Sequence, residues 1–553
     1  MVKFQVMQTS FSFFSLYLTG LWLAVANGAT AQQQCADRLT FASVSQTNQI
    51  EWSKFPDFTL PFPVIYGGPR FGDTQVSPLR HGFSHLVEVK DAEAGLVPAN
   101  QRAYVYYGFA TGLNQPWETI ESPWANDMNA YYAKWDNFLS GISSGQKNAN
   151  GQYIMPFGRL ALDIERIQET DARILRLKQD SRVPNTYRTL SDADFVATYK
   201  KDMRNLYAEG MRYIRQHSDL TGVSVTSYAD TPVLNTYLNV PTFSWADWTS
   251  SSSLVNYLVK EPAGNSIGGP YYSQLDVLSP SVYYFYDYPN PLAKDYLAYL
   301  LFHVEVNRAW SNKPVVPWVW MRYHDSSSSG LQFIQPFMAE ATAIFPFFSG
   351  AAGLWLWENP TLASTRNDVY AAYEHFIHGL YRLSRFADMF QGSYELVIET
   401  PARDLMDRQL PVWRGVAKGS DILIAAQNPY AADGQKTSLT VRYKTWQQTI
   451  DLTGREVYLC RFDMGNVTAT EPVLPNVTAS PNPAQTVLTI AFDQLPPAAT
   501  SMALLNTLGQ PIVNLEATRN METIDVTTLP AGLYMLRIQN ENQIQTKKII
   551  ISR

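Results

Sequence analysis

Two cysteines in 553 residues are too few for a disulfide-stapled scaffold or a thiolate zinc cluster. Charge is scarce too. Asp, Glu, Lys and Arg make up 17% of the chain, the net charge is −6 and no long basic run occurs, so the electrostatic footprint of a nucleic-acid binder is missing. No G-x-G-x-x-G follows a candidate strand, which argues against a dinucleotide fold. The seven histidines offer two helical spacings, His375 with His378 and His81 with His85, but the remaining ligands of a closed metal site are not in view. We expect no metal and no cofactor. Beyond the N-terminal stretch no apolar run approaches the roughly 20 residues that cross a bilayer.

What is plentiful is apolar and aromatic. Hydrophobic residues reach 46% and aromatic ones 13%, with 14 Trp, 32 Tyr and 27 Phe, a composition that excludes general disorder. Trp and Tyr offer flat apolar faces with polar edges, suited to sugar rings, although the same residues fill ordinary cores. The length predicts more than one domain. At the start, Lys3, an apolar run over 11–26 and Ala29-Thr30-Ala31 before Gln32 read as a secretory signal peptide of residues 1–31. For an exported chain, Cys35 and Cys460 are either one disulfide or two buried thiols.

From about residue 57 to 357 short apolar runs alternate with helical stretches. Candidate strands are 62–66, 103–109, 160–165, 223–228, 277–284, 315–321 and 353–357, and candidate helices include 192–216, 292–310 and 367–389. Seven or eight such units fit an α/β fold, a (β/α)₈ barrel over residues 32–390. A doubly wound sheet is the alternative. Residues 391–465 carry β-rich runs with turns at Asp433-Gly434 and Thr453-Gly454, as in a small β-sandwich. A linker follows over 466–479, and residues 480–553 form a last β-rich domain.

That last stretch runs through Ser480-Pro481-Asn482-Pro483, Leu504-Leu505-Asn506-Thr507-Leu508-Gly509-Gln510, Leu529-Pro530-Ala531-Gly532-Leu533-Tyr534 and a basic end at Lys547-Lys548. In motif and order it resembles the C-terminal sorting domain of proteins exported by the type IX secretion system of Bacteroidetes. The resemblance implies passage through the periplasm, recognition by the type IX machinery, and a secreted or surface-attached product.

The chemistry centres on Leu160-Ala161-Leu162-Asp163-Ile164-Glu165. As a strand it turns Leu160, Leu162 and Ile164 to one face and Ala161, Asp163 and Glu165 to the other. The two carboxylates then lie about 7 Å apart at the strand's C-terminal end, where barrel enzymes keep their chemistry. One of two such neighbours should hold a proton more tightly, giving an acid beside an anion. A strand ending in two solvated acids, one paired with Arg159 or Arg166, is the plain alternative.

This motif, Leu278-Ser279-Pro280-Ser281-Val282-Tyr283, Pro314-Val315-Val316-Pro317-Trp318-Val319-Trp320 and Gly350-Ala351-Ala352-Gly353-Leu354-Trp355-Leu356-Trp357 together resemble hyaluronidase-type glycoside hydrolases. The resemblance implies that Glu165 protonates the glycosidic oxygen while Asp163 orients a 2-acetamido group acting as nucleophile. It also implies that Tyr283 and Trp357 line the sugar subsite. Tyr228 and Trp320 are further substrate-binding candidates at strand ends. One departure concerns the substrate: Arg166-Ile167-Gln168 and a charged stretch over 169–188 follow the Glu, where the family usually has an aromatic residue. Without a 2-acetamido group a second carboxylate must act, and Glu358, Asp287, Asp230 and Asp325 lie just beyond candidate strands. The expected partner is a polysaccharide. Two rivals stand beside this reading: a same-fold glycosidase using two protein carboxylates, and a non-catalytic glycan-binding surface protein.

Overall fold

The computed structural model describes residues 33–35, 50–69, 76–89, 93–107, 123–124, 127–164, 170–261, 266–288, 290–327, 329–359, 370–465, 477–492, 496, 500–540 and 544–553. The expected signal peptide and Glu165 lie outside the described residues.

Eight parallel strands form one sheet in chain order: β1 Val64–Gly67, β2 His85–Val87, β3 Arg102–Tyr107, β4 Arg159–Asp163, β5 Ser224–Tyr228, β6 Val277–Ser279, β7 Trp318–Trp320 and β8 Leu354–Trp357. β8 pairs with β1, Leu354 against Val64. Between β6 and β7 the ladder is reduced to isolated bridges, Leu278 with Val315 and Ser281 with Trp318. Pro280, Pro314 and Pro317 stand along that seam, and proline has no N–H to give a ladder. The same prolines shorten the strands expected over 277–284 and 315–321. The result is a (β/α)₈ barrel rather than a doubly wound sheet.

Strand β2 corrects the sequence reading. His81 ends a short helical turn and His85 opens a strand, so the two do not share a helix face. Three residues flanked by Ser84 and Glu88 are too short a run to announce a strand.

Alternation sorts the strand residues into two layers. Leu160, Leu162, Ile164 and Val225 pack outward against α1 Met128–Ile142 and α2 Asp192–His217. Ala161, Ile65, Val105, Tyr228, Trp318 and Trp355 meet in the barrel interior. Helix α2 starts where Ser191 caps the Asp194 N–H, with Asp192 and Asp194 in the first turn and Arg215 and His217 in the last, the charge order its dipole favours. Helix α3 Tyr296–Trp310 is buried almost all round, which requires cover on both sides.

The β-sandwich supplies that cover. Its five-stranded sheet runs in the order Gln33–Cys35, β14 Tyr458–Asp463, β11 Asp421–Gln427, β10 Val412–Lys418 and β9 Glu395–Val397. One face, with Val412, Val416, Leu423 and Leu459, packs into the cluster that holds α3, α4 Pro336–Phe348 and α5 Ala371–Ser384. The other face packs on the hairpin β12 Lys436–Tyr443 and β13 Trp446–Thr453. Arg414 reaches across to Glu305 on α3 at 2.7 Å, both buried. The N-terminal strand, grouped with the barrel on sequence, is an edge of this sheet, because Cys35 lies opposite Cys460 and is disulfide-bonded to it.

The last domain is two antiparallel sheets around a separate core of Leu488, Ile490, Leu504, Leu536, Ile538 and Ile549. Its first strand, Val477–Ser480, starts three residues before the Ser480 boundary read from sequence, because Val477 pairs with Phe492.

Candidate active site

Asp163 is the last residue of β4 and is buried, 6% exposed. The β3–β4 register sets Tyr107 beside it, and alternation turns both side chains inward. Tyr107 resists ionisation: burial raises its pKa, and the charges of Glu88 and Asp163 add to the effect. Its hydroxyl oxygen accepts the Trp357 indole N–H at 3.2 Å. Asp163, Tyr107 and Trp357 therefore line the mouth together, although β8 and β4 stand far apart in sheet order.

An aromatic wall continues from Trp357. Its ring stacks on Tyr283, centroids 5.6 Å apart at 21°, while Trp320 meets both edge-on, at 4.8 Å from Trp357 and 5.5 Å from Tyr283. Tyr228 lies 6.0 Å from Tyr283, and its hydroxyl donates to Ser281 Oγ at 2.7 Å. The four aromatic candidates thus form one contiguous cluster. Trp245, Trp248, Tyr271, Tyr272, Tyr284 and Tyr286 belong to the outer layers. Glu165 lies outside the described residues, two positions beyond Asp163 in the chain.

Tyr107 was missed on sequence. Its strand was legible, but the signal that marks the residue is the cross-strand register with Asp163, which one sequence does not display.

The four loop acids separate by environment. Glu358 is 1% exposed: Oε2 accepts from Arg322 Nε at 2.8 Å and the Tyr373 hydroxyl at 2.7 Å, while Oε1 accepts the Trp320 indole N–H at 2.9 Å. With its oxygens held by fixed donors it anchors the back of the aromatic wall. Asp230 is buried too, accepting from Ser227 at 2.8 Å and Tyr271 at 2.6 Å. Burial raises its pKa to about 6, against the lowering effect of those two donors, but Ser227, next to the inward Tyr228, faces outward from β5, and Tyr271 packs in the outer layer. Asp325 is exposed and lies 3.0 Å from His324 Nδ1. Asp287 is half-buried beyond β6.

Among the described residues no group of three His, Cys, Asp or Glu could hold a metal ion, and no helix is long and apolar enough to cross a membrane.

Residues 479–552 match the family model of the secretion system C-terminal sorting domain. No curated protein matches the chain. Among solved structures, bee venom hyaluronidase is similar at 12% identity over 58% of this chain and 99% of that one, with a TM-score of 0.37. A Cellulomonas fimi endo-beta-1,4-mannanase double mutant is similar at 10% identity over 82% and 77%, TM-score 0.27. A glycoside hydrolase family 5 structure from Bacteroides vulgatus is similar at 11% identity over 75% and 92%, TM-score 0.29. These neighbours are glycoside hydrolases; at such scores the barrel assignment rests on the strand register described above. The terminal domain is a secretion-system sorting domain, and it directs the protein by type IX export to the cell surface or beyond it.

Proposed function

We propose that the barrel mouth is the active centre of a glycoside hydrolase acting on a polysaccharide with N-acetylated amino sugars. The observation that carries the reading is the meeting of Asp163 with Tyr107 and the Tyr228, Tyr283, Trp320 and Trp357 cluster at one mouth. A carboxylate beside stacked aromatic rings suits a sugar: the rings take its apolar face and the acid its polar edge. In this reading Asp163 orients the 2-acetamido group and stabilises the positive charge that develops on it as its carbonyl oxygen attacks the anomeric carbon. Glu165 gives its proton to the departing glycosidic oxygen. The cyclic intermediate is then opened by water, which Glu165, now a base, deprotonates.

The burial of Glu358 against Arg322 and of Asp230 behind β5 weighs against either as the second carboxylate of a two-acid mechanism. The test is reducing-end release from N-acetylated and neutral polysaccharides, with trapping of any covalent glycosyl-enzyme. Release from an N-acetylated polymer without an adduct supports the reading, and Glu165→Gln should lower turnover by about 10² to 10⁴ while glycan binding persists. An adduct on a protein carboxylate moves support to the two-carboxylate enzyme. Binding without release by any sugar polymer moves it to the glycan-binding protein.

A further inference from the structure

The opposite end of the barrel holds a cavity of about 350 Å³, a volume at the lower end of small-molecule sites. It opens at the N-terminal ends of the strands, where barrels ordinarily keep side chains that serve stability alone. Its walls are mainly apolar, from Pro63, Ile65, Val316 and Trp355, with the hydroxyl side chains of Ser224, Thr226 and Ser279 set among them. Among them stands Arg159, the first residue of β4, on the same inward face as Ala161 and Asp163.

Arg159 is half-buried, and its side chain makes no hydrogen bond or ion pair with a described residue. The acid nearest in effect is Asp276, which also lines the cavity. Its carboxylate is already committed: Oδ1 accepts from Arg215 Nη2 at 2.9 Å and Oδ2 from the Val225 N–H at 2.8 Å. Lys313 faces the same carboxylate. Three cations thus surround one anion, and the local balance is positive. His85 adds no further charge at neutral pH, since burial and the Arg159 charge lower its pKa to about 4.

A guanidinium cannot shed its proton to escape this environment. Burial already disfavours its charge, and a charge without an acceptor in an apolar setting is costly. An anion entering the cavity relieves that cost through charge-assisted hydrogen bonds. The planar fork of donors matches a carboxylate in two-point geometry, and the mainly apolar lining favours an anion with an apolar body over a fully hydrated inorganic ion, the Thr226 hydroxyl being already engaged with Val277 O and Ser279 Oγ. We propose that this basal cavity is a binding site for a small carboxylate with an apolar body. The carboxylate engages Arg159, and the body lies against Ile65, Val316 and Trp355. The site is separate from the mouth and independent of the reading given for it.

The test is calorimetric titration of the full exported chain with benzoate and with its neutral counterpart benzamide. One equivalent of benzoate should bind saturably, with benzamide at least about tenfold weaker because it cannot form the ionic pair. Arg159→Gln should weaken benzoate by about tenfold or more on the same ground. Ala352→Trp, at the exposed rim of the cavity, should block entry without touching the cation, so the proposal stays testable if Arg159→Gln fails to fold. Asp163→Asn should bind benzoate as the wild type does. Absence of saturable binding, equal binding of benzamide, or benzoate affinity unchanged in both Arg159→Gln and Ala352→Trp would each overturn the site. Inorganic phosphate binding as tightly as benzoate would overturn the apolar-body assignment, and loss of benzoate binding in Asp163→Asn would relocate it to the mouth.

Discussion

The inner wall of the barrel mouth and the layer behind it contain the same residue types arranged to opposite ends. At the mouth, Asp163 ends a strand beside Tyr107 and a run of rings that face the barrel axis. Behind it, Glu358 and Asp230 also follow strand ends, but one is enclosed by Arg322, Tyr373 and Trp320 and the other by Ser227 and Tyr271. Position at a strand's C-terminal end is therefore not enough to make an acid available to a substrate. The face decides. An inward acid meets the mouth, while an outward acid must be satisfied by the packing around it.

The largest effect is expected at Glu358. Glu358→Ala leaves the Arg322 guanidinium, 1% exposed, without its carboxylate, and strands the Trp320 N–H and Tyr373 hydroxyl. Breaking a buried pair in this way costs about 3 to 5 kcal/mol. Thermal or chemical denaturation should show that loss, while turnover of the folded fraction stays within about tenfold of wild type, since Glu358 acts only by holding Trp320 and that bond contributes about 1 kcal/mol. Wild-type stability in this variant would remove the structural role assigned to the acid.

Asp230 sharpens the contrast through pH. Its folded pKa of about 6 lies above the ordinary 3.8, so the folded state holds the proton more tightly than the unfolded chain does. Stability from this group is present below about pH 4 and declines as pH rises to about 6, by an amount on the order of 3 kcal/mol. Asp230→Asn should abolish that part of the slope. Parallel stability curves for the two proteins between pH 4 and 6 would contradict the assignment.

The smallest effect is expected at Trp357. Trp357→Phe keeps a ring against Tyr283 but removes the N–H that Tyr107 accepts, a loss of about 1 kcal/mol or roughly fivefold in kcat/KM. A drop beyond about a hundredfold, with the fold intact, would mean that the indole does more than position the wall.

Much of this arrangement was legible before the structure. The alternation of Leu160 to Ile164 and of Leu354 to Trp357 assigns inner and outer faces directly, because the two sides of a barrel strand meet different surroundings. The terminal domain was legible from its ordered motifs. What remained hidden depends on partners distant in the chain. His85–Val87 is too brief to stand out, and the place of Tyr107 beside Asp163 needs the β3–β4 register. Separating Glu358 from Asp163 needs the contacts of Arg322 and Tyr373. The pairing of Cys35 with Cys460 is set by an edge strand joining a sheet 425 residues later.

The role proposed for the inward Asp163 is tested most directly by the turnover of Asp163→Asn on an N-acetylated polysaccharide, measured beside its melting temperature. A fall of about 10² to 10³ in kcat is expected, the scale of losing a group that stabilises developing charge, with the melting temperature close to wild type. Wild-type turnover in a folded Asp163→Asn protein would contradict it.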